Sequence, residues 1–150
     1  MAPERSIAEE QDEIAAEFEL FDDWRDRIDY VLDLGRQLPP IADEHRVDAN
    51  KVKGCQSQVW MVAEIDPERR LRLSADSDAY IVKGLIALLL RLYSGRPADE
   101  VLANPPQVFD RIGLGAHLSP ARANGLHAMV KRIRQLATAA ERGAAVPAAG

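Results

Sequence analysis

The hydrophobic positions of this chain change period as it is read from its N-terminus. Ile7, Ile14, Phe18 and Phe21 lie at helical spacing, and Ser6-Ile7-Ala8-Glu9 has the form of a capping box, so a first helix is predicted to about residue 20. Trp24, Ile28, Val31 and Leu32 form a second stripe, with Asp22 or Asp23 as its cap and Gly35 as its terminator ahead of Leu38-Pro39-Pro40. The two helices are expected to pair antiparallel. Residues 39–51 carry prolines and mixed charge without a period, which marks a connection. From Gln58 to Ile65 the period falls to two: Val59, Met61, Ala63 and Ile65 face one side, Trp60 and Val62 the other. Asp66 to Arg70 reads as a turn, and Leu71, Leu73 and Ala75 alternate again. This is an antiparallel hairpin, extended by a short strand before Cys55.

A hairpin alone is marginal and needs helices against one face. The next segment supplies them. Between a cap at Ser77 or Asp78 and a stop at Gly95 and Pro97, only Lys83 and Arg91 interrupt a helix that is apolar almost all round, the mark of a core helix. Gly84 inside it costs helix propensity and signals a close backbone approach. A short helix begins at Pro97-Ala98-Asp99-Glu100, a packed turn carries Val108, Phe109, Ile112 and Leu114, and Ser119-Pro120 opens a last helix. Its apolar face holds Leu126, Met129, Val130, Ile133 and Leu136. The expected fold class is α+β, a small antiparallel β-sheet packed against several α-helices. Residues 1–150 are expected to form one domain, with its core over roughly 6–142 and a fraying tail at 143–150.

Composition narrows the function. A chain of 150 residues, 47% apolar and 29% charged, is ordinary for a soluble globular protein able to bury a core. With 24 acidic against 19 basic residues, its net charge of −5 repels phosphate backbones, so a nucleic-acid partner is not expected. The longest apolar run, Leu85 to Leu90, is too short to cross a bilayer, and the acidic start lacks the features of an export signal. No membrane partner is expected, and a cytoplasmic, reducing location is. The single cysteine excludes an intramolecular disulfide and a C-x-x-C metal or redox site.

That cysteine, Cys55, follows Gly54 and precedes the first strand, so its thiol is presented at a turn. Most free cysteines are small buried hydrophobes, but positive charge from Lys51 and Lys53 would raise the thiolate fraction here. A cysteine hydrolase would need a base, for which His117 or His127 are available with Asn124 as orienter, yet no signature of such a nucleophile surrounds Cys55. Lys131, Arg132, Arg134 and Arg142 give the last helix a basic face, a solvated face or a docking patch.

Four strings in order, Leu34-Gly35 with Leu38-Pro39, Gly54-Cys55-Gln56-Ser57-Gln58-Val59-Trp60, Asp76-Ser77-Asp78-Ala79 with Ile81-Val82-Lys83-Gly84-Leu85-Ile86-Ala87, and His117-Leu118-Ser119-Pro120-Ala121-Arg122 with Gly125-Leu126 and Met129, resemble the SufE family over roughly residues 20–137. The resemblance implies an α+β fold shared with NifU-type scaffolds, and a sulfur acceptor for a cysteine desulfurase of the SufS type. It assigns Cys55 as the persulfide acceptor. Gly54, Gln56 and Gln58 would support the loop, while Asp78, Arg122 and His117 are partner-contact candidates; of these, Asp78 also fits a helix cap and His117 a structural hydrogen bond. The chain would need no cofactor of its own, since pyridoxal phosphate sits on the desulfurase. Sulfur would pass to an iron–sulfur scaffold of the SufB/C/D type, with the carrier a monomer or homodimer. The alternative within the same fold is an iron–sulfur scaffold or metal-binding protein, although one cysteine per chain is few for a cluster.

Overall fold

The computed structural model describes residues 5–143; the expected fray beyond Gly143 lies outside the described residues. The elements run α1 (Ile7–Glu19), α2 (Trp24–Gln37), β1 (Val59–Ile65), β2 (Arg70–Ser77), α3 (Tyr80–Tyr93), β3 (Arg96–Pro97), α4 (Ala98–Ala103), α5 (Val108–Arg111) and α6 (Pro120–Glu141). The fold is α+β, as the pattern predicts. Ser6 and Glu9 close the expected capping box, Asp23 rather than Asp22 caps α2, and Ser119 caps α6 by accepting from the Arg122 N–H. No helix among the described residues is long and apolar enough to cross a membrane.

The sheet has the order β1-β2-β3, all antiparallel. Val59 pairs with Ser77, Met61 with Ala75 and Ala63 with Leu73, which puts one buried face against the helices. The predicted extension before Cys55 is a bridge from Lys51 to Trp60, continued by the Val52 N–H donating to the Val59 carbonyl at 2.8 Å. Ile65 shares the inner side by alternation but is 42% exposed at the end of its strand. The third strand is not visible in the sequence. It is two residues long, Arg96 opposite Leu71 and Pro97 opposite Arg70, too short for any period.

Core helix α3 buries Leu85, Ile86, Leu88, Leu89 and Leu92 in one core cluster that also holds strand residues Met61, Leu71 and Leu73 and Met129, Ile133 and Leu136 of α6. Two expectations about α2 are corrected. Gly35 does not terminate it, because the helix continues to Gln37, and its close packing is on α3 rather than on α1. The two facts have one cause. A β-carbon on Gly35 would strike the Tyr80 carbonyl oxygen, and one on Gly84 would strike the Val31 carbonyl oxygen, so the helices cross backbone against backbone at this pair of glycines. The close approach foreseen for Gly84 is therefore to α2. Helix α1 reaches α2 through the edge-to-face rings of Phe18 and Tyr30, and α3 through Arg91, which binds Glu10 and Glu17. The Arg91 guanidinium holds the Glu17 carboxyl below its ordinary range, and burial with the Glu17 contact pushes Tyr30 up to about 12.

Neither Ser77 nor Asp78 caps α3. The helix starts at Tyr80, with Ala79 in the cap position and no side-chain cap bond, because both side chains are turned to the segment before β1.

The glycine crossing yields a stability prediction. Gly84→Ala gains up to about 1 kcal/mol of helix propensity but collides with backbone that cannot move aside, and overpacking of this kind costs about 3 kcal/mol or more. Urea unfolding of the variant is expected to show a lower midpoint at unchanged slope.

Candidate functional site

Cys55 lies on a loop between two anchored ends. Upstream, Val52 is buried and tied to Val59; downstream, the Gln58 main chain is clamped on both sides. The Ser77 hydroxyl donates to the Gln58 carbonyl at 2.7 Å, the Asp78 N–H donates to the same oxygen at 3.3 Å, and the Gln58 N–H donates to Asp78 Oδ1 at 3.1 Å. Asp78, foreseen as a partner contact or a cap, is an exposed residue that fixes the loop exit. Gln58 acts through its backbone while its side chain is in solvent. Gly54 has a φ of +92°, a conformation glycine adopts without penalty, and a β-carbon there would sit 3.2 Å from that of Ala128 on α6.

This geometry turns the Cys55 thiol inward. Sγ lies 3.6 Å from the Gly125 carbonyl oxygen of α6, a weak bond, at the wall of a cavity of about 200 Å³. Val59, Val82, Leu85 and Met129 form its apolar floor; Gln56, Ser57, Ser119 and Arg122 form its polar rim. The floor residues carry the periodicity of core and nothing in their type marks them as site. Gly125 stands in the last of the four strings without a role attached to it; a β-carbon there would stand 3.7 Å from Sγ, so this turn of α6 passes right beside the thiol.

Burial pushes the Cys55 thiol above its ordinary pKa. The expectation that Lys51 and Lys53 favour the thiolate is corrected: Lys51 is paired with Asp48 at 3.2 Å, Lys53 is exposed, and burial is what shifts the sulfur. Gln56 and Arg122 are at the rim as the pattern allowed. His117 is elsewhere, with its ring stacked on Trp24 at 3.8 Å between centroids and 12° between planes; its structural role is stacking rather than a hydrogen bond. His127 lines a different pocket with Pro105, Pro106 and Phe109. Cys55, His117 and His127 therefore do not come together, and the hydrolase constellation is not assembled. The basic face of α6 is also broken up, because Arg132 points into the protein, where burial lowers its pKa, and Arg134 binds the Leu102 carbonyl. Among the described residues no group of three metal-ligating side chains gathers.

Sequence reasoning missed one feature of the loop's support. Asp76, opposite Trp60 in the sheet, is 1% exposed and carries an ion pair with Arg46, from the connection that leads into the Cys55 loop. An aspartate on an alternating strand, opposite a tryptophan, was the available signal.

The family model described as SufE, Fe-S metabolism associated domain, matches residues 12–137. The chain belongs to the SufE family. An uncharacterized SufE-like protein of Rhizobium etli is 48% identical over 136 residues, covering 88% of this chain and 92% of that one. A second, from Rhizobium meliloti, is 42% identical over 127 residues, covering 82% and 91%. The solution structure of a hypothetical protein from Thermus thermophilus superposes with a TM-score of 0.73 at 23% identity, over 95% of this chain and 99% of that one, which establishes the shared fold. Membership in the SufE family places the protein in iron–sulfur metabolism.

Burial at Cys55 has a sign that can be measured. Raising the pKa keeps the resting sulfur as thiol at neutral pH, so its alkylation rate is expected to rise with pH through a midpoint above that of an unburied cysteine, and to return to the ordinary midpoint in denaturant. The same shift favours folding below the ordinary cysteine range, a contribution that fades as pH climbs through the folded value.

Proposed function

We propose that this SufE protein accepts sulfane sulfur on Cys55 from a pyridoxal-phosphate-dependent cysteine desulfurase and hands it on to iron–sulfur cluster assembly. The observation that carries this reading is the placement of the chain's one thiol, half-buried on a glycine-hinged loop and facing a cavity with an apolar floor. The desulfurase holds a persulfide on its own cysteine. The Cys55 thiolate attacks the outer sulfur, a new S–S bond forms at Cys55, the old one breaks, and its electron pair leaves on the desulfurase thiolate. No external oxidant or reductant enters, since the sulfane sulfur keeps its oxidation state while changing its owner.

The environment of Cys55 suits both ends of such a transfer. A thiol kept protonated and half-covered is a poor target for peroxide or stray disulfides. Attack on a docked persulfide requires the opposite, thiolate and access, so docking must loosen the loop that turns Sγ inward. In this reading the exposed rim residues Gln56 and Arg122 meet the partner, and Arg122 is the rim cation available to favour the thiolate or a persulfide anion. Without a second cysteine, no intramolecular thiol can attack the carried persulfide and close a disulfide. The chain requires no cofactor for this chemistry, and the expected location is the cytoplasm.

Incubation with a cysteine desulfurase, cysteine and pyridoxal phosphate is expected to add the mass of one sulfur atom to Cys55, removable by reductant, and to accelerate cysteine turnover. Cys55→Ser is expected to fold normally and to lose both effects. Full stimulation by the serine variant would reject Cys55 as the acceptor.

A further inference from the structure

Among the described residues, the loop that carries Cys55 contains one turn, at Lys53-Gly54, and no main-chain hydrogen bond from Lys53 to Ser57 joins it to another element, so its position depends on its two ends. The exit is held by Ser77 and Asp78. The entry limb runs from Arg46 through the tight turn Asp48–Asn50 to Val52, and beyond the Lys51–Trp60 bridge it is fastened to the sheet at Arg46. The Arg46 guanidinium binds Asp76 Oδ2 and lies 5.3 Å above the Trp60 ring, so it grips both members of one cross-strand pair. Asp76 is itself held in place, accepting the Ser77 N–H at 2.8 Å and facing Lys83 Nζ at 3.6 Å. The limb is internally braced by the Asn50 side chain donating to the His45 carbonyl at 2.9 Å, so movement at Arg46 is transmitted along it.

We infer that Arg46 is a positioning residue for Cys55: through its ion pair with the buried Asp76 it fixes the entry limb, and with Ser77 and Asp78 on the exit limb the tripeptide Asp76-Ser77-Asp78 holds both ends of the sulfur-carrying loop. Arg46 does not line the cavity that Cys55 faces. Its effect is on how long the loop keeps the thiol turned toward Gly125. The inference gives the proposed acceptor a built-in control on thiol exposure and rests on that reading of Cys55, but it is tested without a desulfurase, so either can fail alone.

The test is the rate and pH profile of Cys55 alkylation by iodoacetamide on the full chain, with thermal unfolding measured in parallel, for Arg46→Gln, Arg46→Lys, Asp76→Asn and the control Arg70→Gln. Arg70 pairs with Asp66 at the far turn of the same hairpin, and its replacement reports the loss of an ion pair away from the loop. Arg46→Gln and Asp76→Asn are expected to label on the order of tenfold faster, by local release of the loop. Their pH midpoint is expected to fall toward that of an ordinary cysteine, a shift that general destabilisation does not produce. Arg46→Lys keeps the charge and is expected to restore most of the protection; Arg70→Gln is expected to label at the parent rate. The inference is overturned if Arg46→Gln or Asp76→Asn labels at the parent rate and midpoint, if Arg70→Gln accelerates equally, or if both loop-side variants lose the cooperative thermal transition, which would make the pair a requirement of the whole fold.

Discussion

The register of β1 against β2 is the constraint on which the rest of the site depends. With Val59 opposite Ser77, the inner faces of both strands match the helices, Trp60 falls opposite Asp76, and the chain entering β1 arrives at Gln58 level with Asp78. A slip of one residue would turn the apolar side of β1 to solvent and would also move Gln58 off its clamp. The hydrophobic demand of the core and the polar demand of the loop are thus met by the same pairing. That is why the three residues Asp76, Ser77 and Asp78, two of them fully buried, are all polar: they close the strand, and their side chains serve the segment on the other side of it.

Behind the sheet, the Gly35 and Gly84 crossing plays the corresponding part for the helices. Backbone contact fixes the seat of α3 against α2, and α3 supplies Val82 and Leu85 to the floor beneath Cys55 and Lys83 to the side of Asp76. A helix crossing set by side chains can relax by changing rotamers, whereas one set by carbonyl oxygens has little room to adjust. The cavity therefore rests on a stiff wall, while among the described residues the loop facing it has no main-chain hydrogen bond to another element between Lys53 and Ser57. Rigidity and freedom are divided between the two sides of one sulfur atom.

Much of this was legible in residue order. The period-two runs located the hairpin, the all-round apolar run located the core helix, and the glycine within it marked the close approach. Cys55 itself stood out as the one thiol, placed between a glycine and a strand. Where the structure departs from the local pattern there is one main cause, which is that the side chain's partner lies far away in sequence. Ser77 and Asp78 precede a helix and look like caps, yet their partner is Gln58, about twenty residues earlier. Gly35 precedes two prolines and looks like a stop, yet it faces Gly84. Lys51 and Lys53 flank the cysteine and look like thiolate partners, yet Asp48 takes one and solvent the other. β3 is created wholly by its docking on β2, and Arg46 lies in a stretch without period, so no local pattern could have revealed either.

The cavity's chemistry also bears on why the thiol is turned inward. An apolar floor penalises charge, so the state it favours is the neutral thiol, and the same burial that covers the sulfur lowers its reactivity. Reactivity at neutral pH then requires a change of surroundings rather than of the residue. Moving Sγ from Val82, Leu85 and Met129 toward the rim at Ser119 and Arg122 would exchange an environment that resists negative charge for one with a guanidinium and the N-terminal end of a helix of 22 residues. A small displacement within one cavity would thus reverse the electrostatic preference, and the loop, anchored at both ends and without a main-chain bond to another element between Lys53 and Ser57 among the described residues, is the part of the fold suited to make it.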